Sequence, residues 1–254
     1  MLTLEQRRRA IVDQVNQSGP LSVELLAEQF GVSIQTLRSD IRGLTEQGLL
    51  LRRHGQVAPF PSRENISFEQ REILNIEGKQ RIGQAVAAQL EDYQVVFLGT
   101  GTTVEQVARG LMEHRGLHVL TNNLHALRYL CLHPDCELTI AGGRVRKRDQ
   151  DVIGGEALRF FQRYRADVGV VSVGGIGADG ALYDYNDDEV LAREALLASC
   201  RIRILAVDST KMGKEATCQV GHITDFDLVI CDQPAPGVLQ QVIAADRWRV
   251  AGTD

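Results

Sequence analysis

Leu26-Ala27-Glu28-Gln29-Phe30-Gly31-Val32-Ser33-Ile34-Gln35-Thr36-Leu37-Arg38-Ser39-Asp40-Ile41-Arg42-Gly43-Leu44 reads as two helices joined by a tight corner. Ala27 is followed four residues later by Gly31 and six residues after that by Leu37. This is helix-turn-helix spacing: a small residue lets the helices approach, glycine takes the turn, and an apolar residue locks the second helix. Ser33 suits an N-cap. Leu37, Ile41 and Leu44 then share one buried face. The opposite face carries Gln35, Thr36, Arg38, Ser39 and Arg42. Short polar residues and forked guanidiniums on an exposed helix can reach base edges and phosphates in a major groove.

Working outward, an earlier helix is expected with Leu4, Ile11 and Val15 on one face, ending at Ser18-Gly19-Pro20. The helix over about 22–30 should turn Leu25, Leu26 and Phe30 inward. Behind the pair, Gly48-Leu49-Leu50-Leu51-Arg52-Arg53-His54-Gly55-Gln56-Val57 predicts strand, tight turn and strand. Such a wing lays Arg52, Arg53 and His54 along the phosphate backbone. Residues 1–57 are thus expected to form a winged helix-turn-helix domain whose partner is double-stranded DNA.

Charge and glycine content separate this head from the rest of the chain. Residues 1–60 hold seven arginines, no lysine and six acids, whereas the remainder carries a net charge of −6 within an overall −5. Seven of the 24 glycines precede residue 95. A mildly basic head and an acidic, glycine-punctuated body predict two domains with different partners. The 254 residues are 44% apolar and 24% charged, an ordinary globular composition that excludes disordered and fibrous classes. Nothing approaches a membrane-spanning run, and the first residues lack the apolar core of a leader. Five cysteines without a C-x-x-C argue against a disulfide scaffold. A cytoplasmic protein without a membrane partner is expected.

Residues 58–75 are expected to be a linker and the start of a connecting helix, beginning with Ala58-Pro59-Phe60-Pro61. That helix would bury Phe68, Ile76, Ile82, Val86 and Leu90, with Gly78 and Gly83 as weak points. From 76 to 254, apolar runs at 95–98, 117–120, 137–141, 168–173, 202–207 and 228–231 alternate with helical patterns at 104–112, 124–132, 155–161 and 189–200. Continuous apolar strands interleaved with helices predict a mainly parallel α/β sheet, whose ligands bind beyond the carboxyl ends of the strands.

The suggestive residues gather at those ends. Gly99-Thr100-Gly101-Thr102-Thr103 offers backbone amides, hydroxyls and a helix N-terminus, an anion cradle. It is neither a Walker loop nor a dinucleotide fingerprint. The G-x-G-x-x-G at Gly175, Gly177 and Gly180 runs into a turn and strand, so it is a decoy for dinucleotide binding. Asn122, Asn123, Gly175, Asp208 and Lys211 close other strands. With Gly99, Gly101, Thr102 and Thr103 they suit a small, anionic, hydroxylated ligand: a sugar phosphate. The basic run 144–148 reads as a solvated or phosphate-facing loop. Asp184, Glu189 and Asp208 are conceivable bases, but no catalytic set is assigned. No metal site or cofactor is expected; Cys131, His133 and Cys136 read as partly buried bystanders.

The head motif, from Leu26-Ala27 through Leu44 to Gly48-Leu49-Leu50-Leu51-Arg52-Arg53-His54-Gly55, resembles the signature of DeoR-type bacterial transcriptional regulators. It departs at Ser39 and Gln56, where the family usually has Arg and Gly. Gly101-Thr102-Thr103, Thr121-Asn122-Asn123, Ala141-Gly142-Gly143, Gly154 and Asp208-Ser209-Thr210-Lys211-Met212-Gly213 resemble that family's effector domain, and the likeness covers nearly the whole chain. The resemblance implies a body similar to sugar-phosphate isomerases of the ribose-5-phosphate type. It also implies a homo-oligomeric regulator, dimer or tetramer, released from operator DNA by a phosphorylated sugar or polyol. Arg146-Lys147-Arg148-Asp149 and Asp179–Tyr185 with Glu189-Val190 look most like the branch repressing glycerol-3-phosphate metabolism, while Asn186-Asp187-Asp188 leaves another phosphorylated sugar or sugar acid open. An isomerase-like enzyme with an appended head, and a scaffold whose body only oligomerises, are the rival readings.

Overall fold

A computed structural model describes residues 3–46, 49–53, 55–60 and 68–252. The chain divides into two compact units, Met1–Ser62 with Ile73–Ile76, and Arg63–Glu72 with Glu77–Asp254.

In the first unit, α1 (Leu4–Ser18) opens on a capping box: Gln6 N donates to Thr3 Oγ1 at 3.3 Å and Thr3 N to Gln6 Oε1 at 3.1 Å. Next come β1 (Leu21–Ser22), α2 (Val23–Phe30), α3 (Ile34–Glu46), β2 (Leu50–Arg53) and β3 (Gln56–Pro59). Ser22 caps α2, accepting from Leu25 N at 3.1 Å, and Ser33 accepts from Thr36 N at 3.1 Å at the start of α3. Gly31 makes the corner at φ 61°, ψ 35°, a left-handed conformation that favours glycine. Ile11, Val15, Leu26, Leu37, Ile41 and Leu44 form the core. The strands β2 and β3 make the expected wing, with Gly55 at φ 81° in the turn and β1 added to the edge of β3.

Three expectations for this unit need correction. Leu4 and Leu25 are exposed; Val23, brought inward by Ser22 capping one residue earlier, is buried instead of Leu25. Ala58 and Pro59 belong to β3 rather than to a linker, because Ala58 pairs with Leu51 and Pro59 with Leu50. His54, linker positions 61–67 and the side chain of Arg53 lie outside the described residues.

The second unit is built on seven parallel strands in the order β15-β14-β12-β9-β4-β5-β6. These are β4 (Val95–Leu98), β5 (Leu117–Thr121), β6 (Cys136–Ile140), β9 (Ala166–Val171), β12 (Cys200–Ala206), β14 (Leu228–Cys231) and β15 (Trp248–Val250). All six predicted strands are present; β15 is additional. Alternate residues face opposite sides of the sheet. Val96 and Leu98 pack with α5 (Ile76–Ala87), α6 (Thr102–Gly110) and α7 (Leu124–Leu130). Phe97 packs with α8 (Gly155–Arg163) and α9 (Asp187–Ala198) on the other side. Helices cover both faces, which is why the strands read as unbroken apolar runs. The hairpin of β7 (Arg144–Arg146) and β8 (Asp151–Ile153), and a small sheet of β10 (Gly175–Ile176), β11 (Ala181–Asp184) and β13 (Cys218–His222), complete the unit. Gly177 and Gly180 turn between β10 and β11, so the G-x-G-x-x-G is a hairpin, as read.

The single long helix expected after the linker is two: α4 (Phe68–Ile73) and α5, broken at Asn75 with φ 47°. The break is at Asn75 and not at either glycine. Gly83 instead lies against α6, where an added Cβ would stand 2.3 Å from the carbonyl oxygen of Gln106.

Candidate functional site

On α3 of the first unit, Gln35, Thr36, Arg38, Ser39 and Arg42 are all exposed, and Leu37, Asp40, Ile41 and Leu44 are buried. Asp40 is the surprise on the inner side. Its carboxylate accepts from Arg7 Nε at 2.7 Å and Arg8 Nε at 3.2 Å, tying α1 to α3. Gly43 leaves room for this: an added Cβ would stand 2.8 Å from Arg8 Nη2. On the wing, Arg52 is exposed. The outcome is a polar helix face held rigidly on a packed base.

In the second unit, chain order reverses at β4. From it the chain builds outward through β5 and β6, then returns to β9 on the other side and continues to β12 and β14. The carboxyl ends of β4 and β9 therefore border a crevice, the place where such sheets bind ligands. A cleft of about 360 Å³ opens there. Its walls include Thr100, Gly101, Thr102 and Thr103 after β4, Gly174 after β9, and Lys211 after β12. Gly101, at φ 100°, turns the chain into α6, and the first amides of that helix have no intrahelical acceptor. Asn123 braces the loop from behind. Its Nδ2 donates to the carbonyls of Gly99 and Gly101, each at 3.3 Å, and its Oδ1 accepts from His125 N and Ala126 N at 3.0 and 3.2 Å.

Two cations, Arg71 and Lys211, line the cleft together with two carboxylates, Asp184 and Glu189, whose charges are met by Arg146 and Arg193. Lys211 acts on both Lys79 and Lys214, and Lys79 acts on Lys214. Burial pushes Lys79 down to about 8, with Lys211 and Arg71 adding to the fall and Asp208 opposing it. Lys214 falls to about 8 by burial and then by Lys211. Burial also lowers Lys211, against Asp208. Cations that depress one another's protonation gain when an anion arrives.

Two family models match the chain, the DeoR-like helix-turn-helix domain over residues 7–61 and the DeoR C terminal sensor domain over residues 74–233. The chain belongs to the DeoR family. A glycerol-3-phosphate regulon repressor of Escherichia coli K12 is 37% identical over 94% of each chain. The HTH-type transcriptional repressor CsqR of the same organism is 36% identical over 94% of this chain and 92% of its own. Ribose 5-phosphate isomerase A of Methanocaldococcus jannaschii matches 54% of this chain and 55% of its own at a TM-score of 0.39 and 13% identity. As a DeoR member with repressors among its relatives, the chain is a DNA-binding transcriptional regulator and not an enzyme.

Of the sensor-domain residues singled out in the sequence, Gly101, Thr102, Thr103 and Lys211 line the cleft together. Four others do not. Asn123 is buried as the brace just described, and Asn122 Nδ2 donates to the Val152 carbonyl at 2.9 Å. Asp208 is fully buried, and its Oδ1 accepts from Thr210 N at 3.1 Å. Gly175 is covered by Lys214, whose carbonyl oxygen lies 2.2 Å from a Cβ placed there; Gly174 borders the cleft instead. Gly99 opens onto a smaller recess beside it.

Sequence reasoning missed the ionic frame of this DeoR sensor. Glu189 accepts from Thr100 Oγ1 at 2.6 Å and from Arg146 Nη2 at 2.7 Å, and lies 3.7 Å from Arg193. Burial would raise Glu189, but Arg146 and Arg193 outweigh it and hold the acid down at about 2. Arg146 also pairs with Asp151 at 2.5 Å and Asp149 at 3.2 Å, so the basic run is not simply a solvated loop. Asp184 pairs with Arg193, and burial raises its pKa. Glu189 and Asp184, possible bases by sequence, are therefore locked in ion pairs. Arg71, paired with Asp149, gave no signal, because only folding carries α4 to this hairpin. Among the described residues no cluster is arranged to hold a metal ion, and no helix is long and apolar enough to cross a membrane.

Proposed function

We propose that this chain is a cytoplasmic, homo-oligomeric repressor that leaves its operator when a phosphorylated polyol or sugar enters the cleft. The observation that carries the reading is the meeting of the Gly101-Thr102-Thr103 loop with Lys211 and Arg71 around one opening. Backbone amides at a helix N-terminus and two cations suit a phosphate group. Glycerol-3-phosphate is the first ligand to try, because it stands in the name of a relative 37% identical to this chain. On the DNA side, Gln35, Thr36, Arg38, Ser39 and Arg42 enter the major groove while the wing, with Arg52, Arg53 and His54, follows the backbone. A homo-oligomer would place two such helices on repeated half-sites.

Ligand must favour the DNA-free state to shift the equilibrium. Coupling of ~1–3 kcal/mol corresponds to roughly 5–150-fold weaker operator binding. The test titrates an operator fragment, selected from a random DNA pool, with and without glycerol 3-phosphate, on wild type and Lys211→Ala. Wild type should release DNA within that range, while Lys211→Ala should bind operator but ignore the ligand. If no sugar phosphate in a panel alters wild-type operator binding, the sensor reading fails and a purely oligomerising body replaces it.

A further inference from the structure

Behind the Gly101-Thr102-Thr103 loop, on the α8–α9 side of the sheet, lies a small recess. Thr100 and Glu189 border both it and the outer cleft, and their 2.6 Å hydrogen bond marks the boundary. Val171, Phe161 and Leu196 form its apolar walls. Two polar side chains also reach it, Asn122 and Arg193, and both are more than nine-tenths buried.

Each has one polar atom without a hydrogen-bond partner: Asn122 Oδ1 and Arg193 Nη1. Neither can be explained by turning the side chain over. Asn122 Nδ2 donates to the Val152 carbonyl at 2.9 Å, so the amide oxygen must be the free end. Arg193 Nη2 is committed to Asp184 and Glu189, which leaves Nη1 pointing elsewhere. Unmatched buried polar atoms carry a full desolvation cost, so two bordering one recess mark a place built for a partner.

The chemistry of the recess is specific. An acceptor and a donor border one small space with room for about one water-sized group. A hydroxyl donates and accepts at once, whereas a carbonyl only accepts and an ammonium only donates. A carboxylate would face ionised Glu189, and an ammonium would face the Arg193 guanidinium. We propose that the recess is a specificity pocket. A hydroxyl of the phosphorylated ligand, carried past the Thr100–Glu189 boundary, donates to Asn122 Oδ1 and accepts from Arg193 Nη1. The proposal rests on the sensor reading above and names what selects the ligand within that class: a hydroxyl rather than the phosphate.

The test measures binding of four probes to the full chain by calorimetry: glycerol 3-phosphate, propane-1,2-diol 1-phosphate, propane-1,3-diol monophosphate and inorganic phosphate. At least one deoxy analogue should bind wild type tenfold or more weakly than glycerol 3-phosphate. In Asn122→Leu that ratio should fall towards one. Val171→Ile, which fills the recess from its apolar wall without removing a polar group, should reduce the ratio as well. Deoxy analogues that both bind wild type within twofold of the parent overturn the pocket while leaving the sensor reading intact. A ratio that persists in both folded variants also overturns it. Failure of all four probes to bind removes the sensor reading for glycerol phosphates, and the pocket with it.

Discussion

Two residues of α3 two positions apart do opposite jobs. Arg42 is exposed and free to meet DNA, whereas Asp40 is buried and holds Arg7 and Arg8 of the neighbouring helix. Removing one partner of a buried ionic contact leaves the others uncompensated, and hydrogen bonds to charged groups are worth about 1.5–3 kcal/mol. Asp40→Ala should therefore destabilise the head by an amount in that range, read from a lowered urea midpoint at unchanged slope. Arg42→Ala should leave the midpoint unchanged. It should instead weaken operator binding by about 1–3 kcal/mol if it reads a base, or reduce the salt slope by roughly one unit if it meets a phosphate. A variant pair that loses stability and DNA affinity in the same proportion would show that Arg42 also supports the fold.

At the scale of elements, the approach of α5 to α6 is set by small residues. An added Cβ at Gly83 would lie 2.3 Å from Gln106 O, and one at Gly110 would lie 2.8 Å from Gly83 O. Helix propensity argues for alanine at Gly83 by up to ~1 kcal/mol. Overpacking argues against it by typically ~1–3 kcal/mol, because a backbone carbonyl cannot swing aside. Gly83→Ala should consequently destabilise the sensor domain in chemical denaturation, and it should loosen the Gly101-Thr102-Thr103 loop that begins α6. A stabilised variant would mean that the two helices separate freely.

For the molecule as a whole, the buried lysines tie stability to ligand affinity with opposite signs. Lys79 falls from an ordinary 10.5 to about 8 in the fold, chiefly through burial. Between about pH 8 and 10.5 the unfolded chain then holds more protons than the folded one, so the Lys79 contribution makes stability rise with pH in that window. Comparing wild type with Lys79→Met in urea at pH 7.5 and 9.5 isolates this contribution. The stability gap should shift in favour of wild type at the higher pH. Over the same interval Lys79 and Lys214 lose charge, and phosphate affinity should fall several-fold by calorimetry. An affinity that is flat from pH 7 to 9.5 would separate these lysines from the anion site.

Local chemistry carried much of this protein in one dimension. The Ala27–Gly31–Leu37 spacing, the Ser33 cap and the wing were legible because neighbours in sequence make those contacts. So were the six apolar strands and the loop Gly99–Thr103, since a parallel sheet covered on both faces imprints its burial on each strand. Strand order was not legible. The return from β6 to β9 beside β4, which opens the crevice, is decided only when both faces of the sheet find helices to cover them. Nor could sequence tell Gly174 from Gly175, or a ligand contact from a brace at Asn123, because each role depends on which backbone lies opposite. Arg71, Arg146 and the Glu189–Arg193 pair come from three separate elements, α4, β7 and α9, and their charges meet only in the fold. Patterns of burial and turn belong to the chain; the partnering of charges across it belongs to the tertiary structure, because burial forces each ion to find a counterpart wherever the packing has left one.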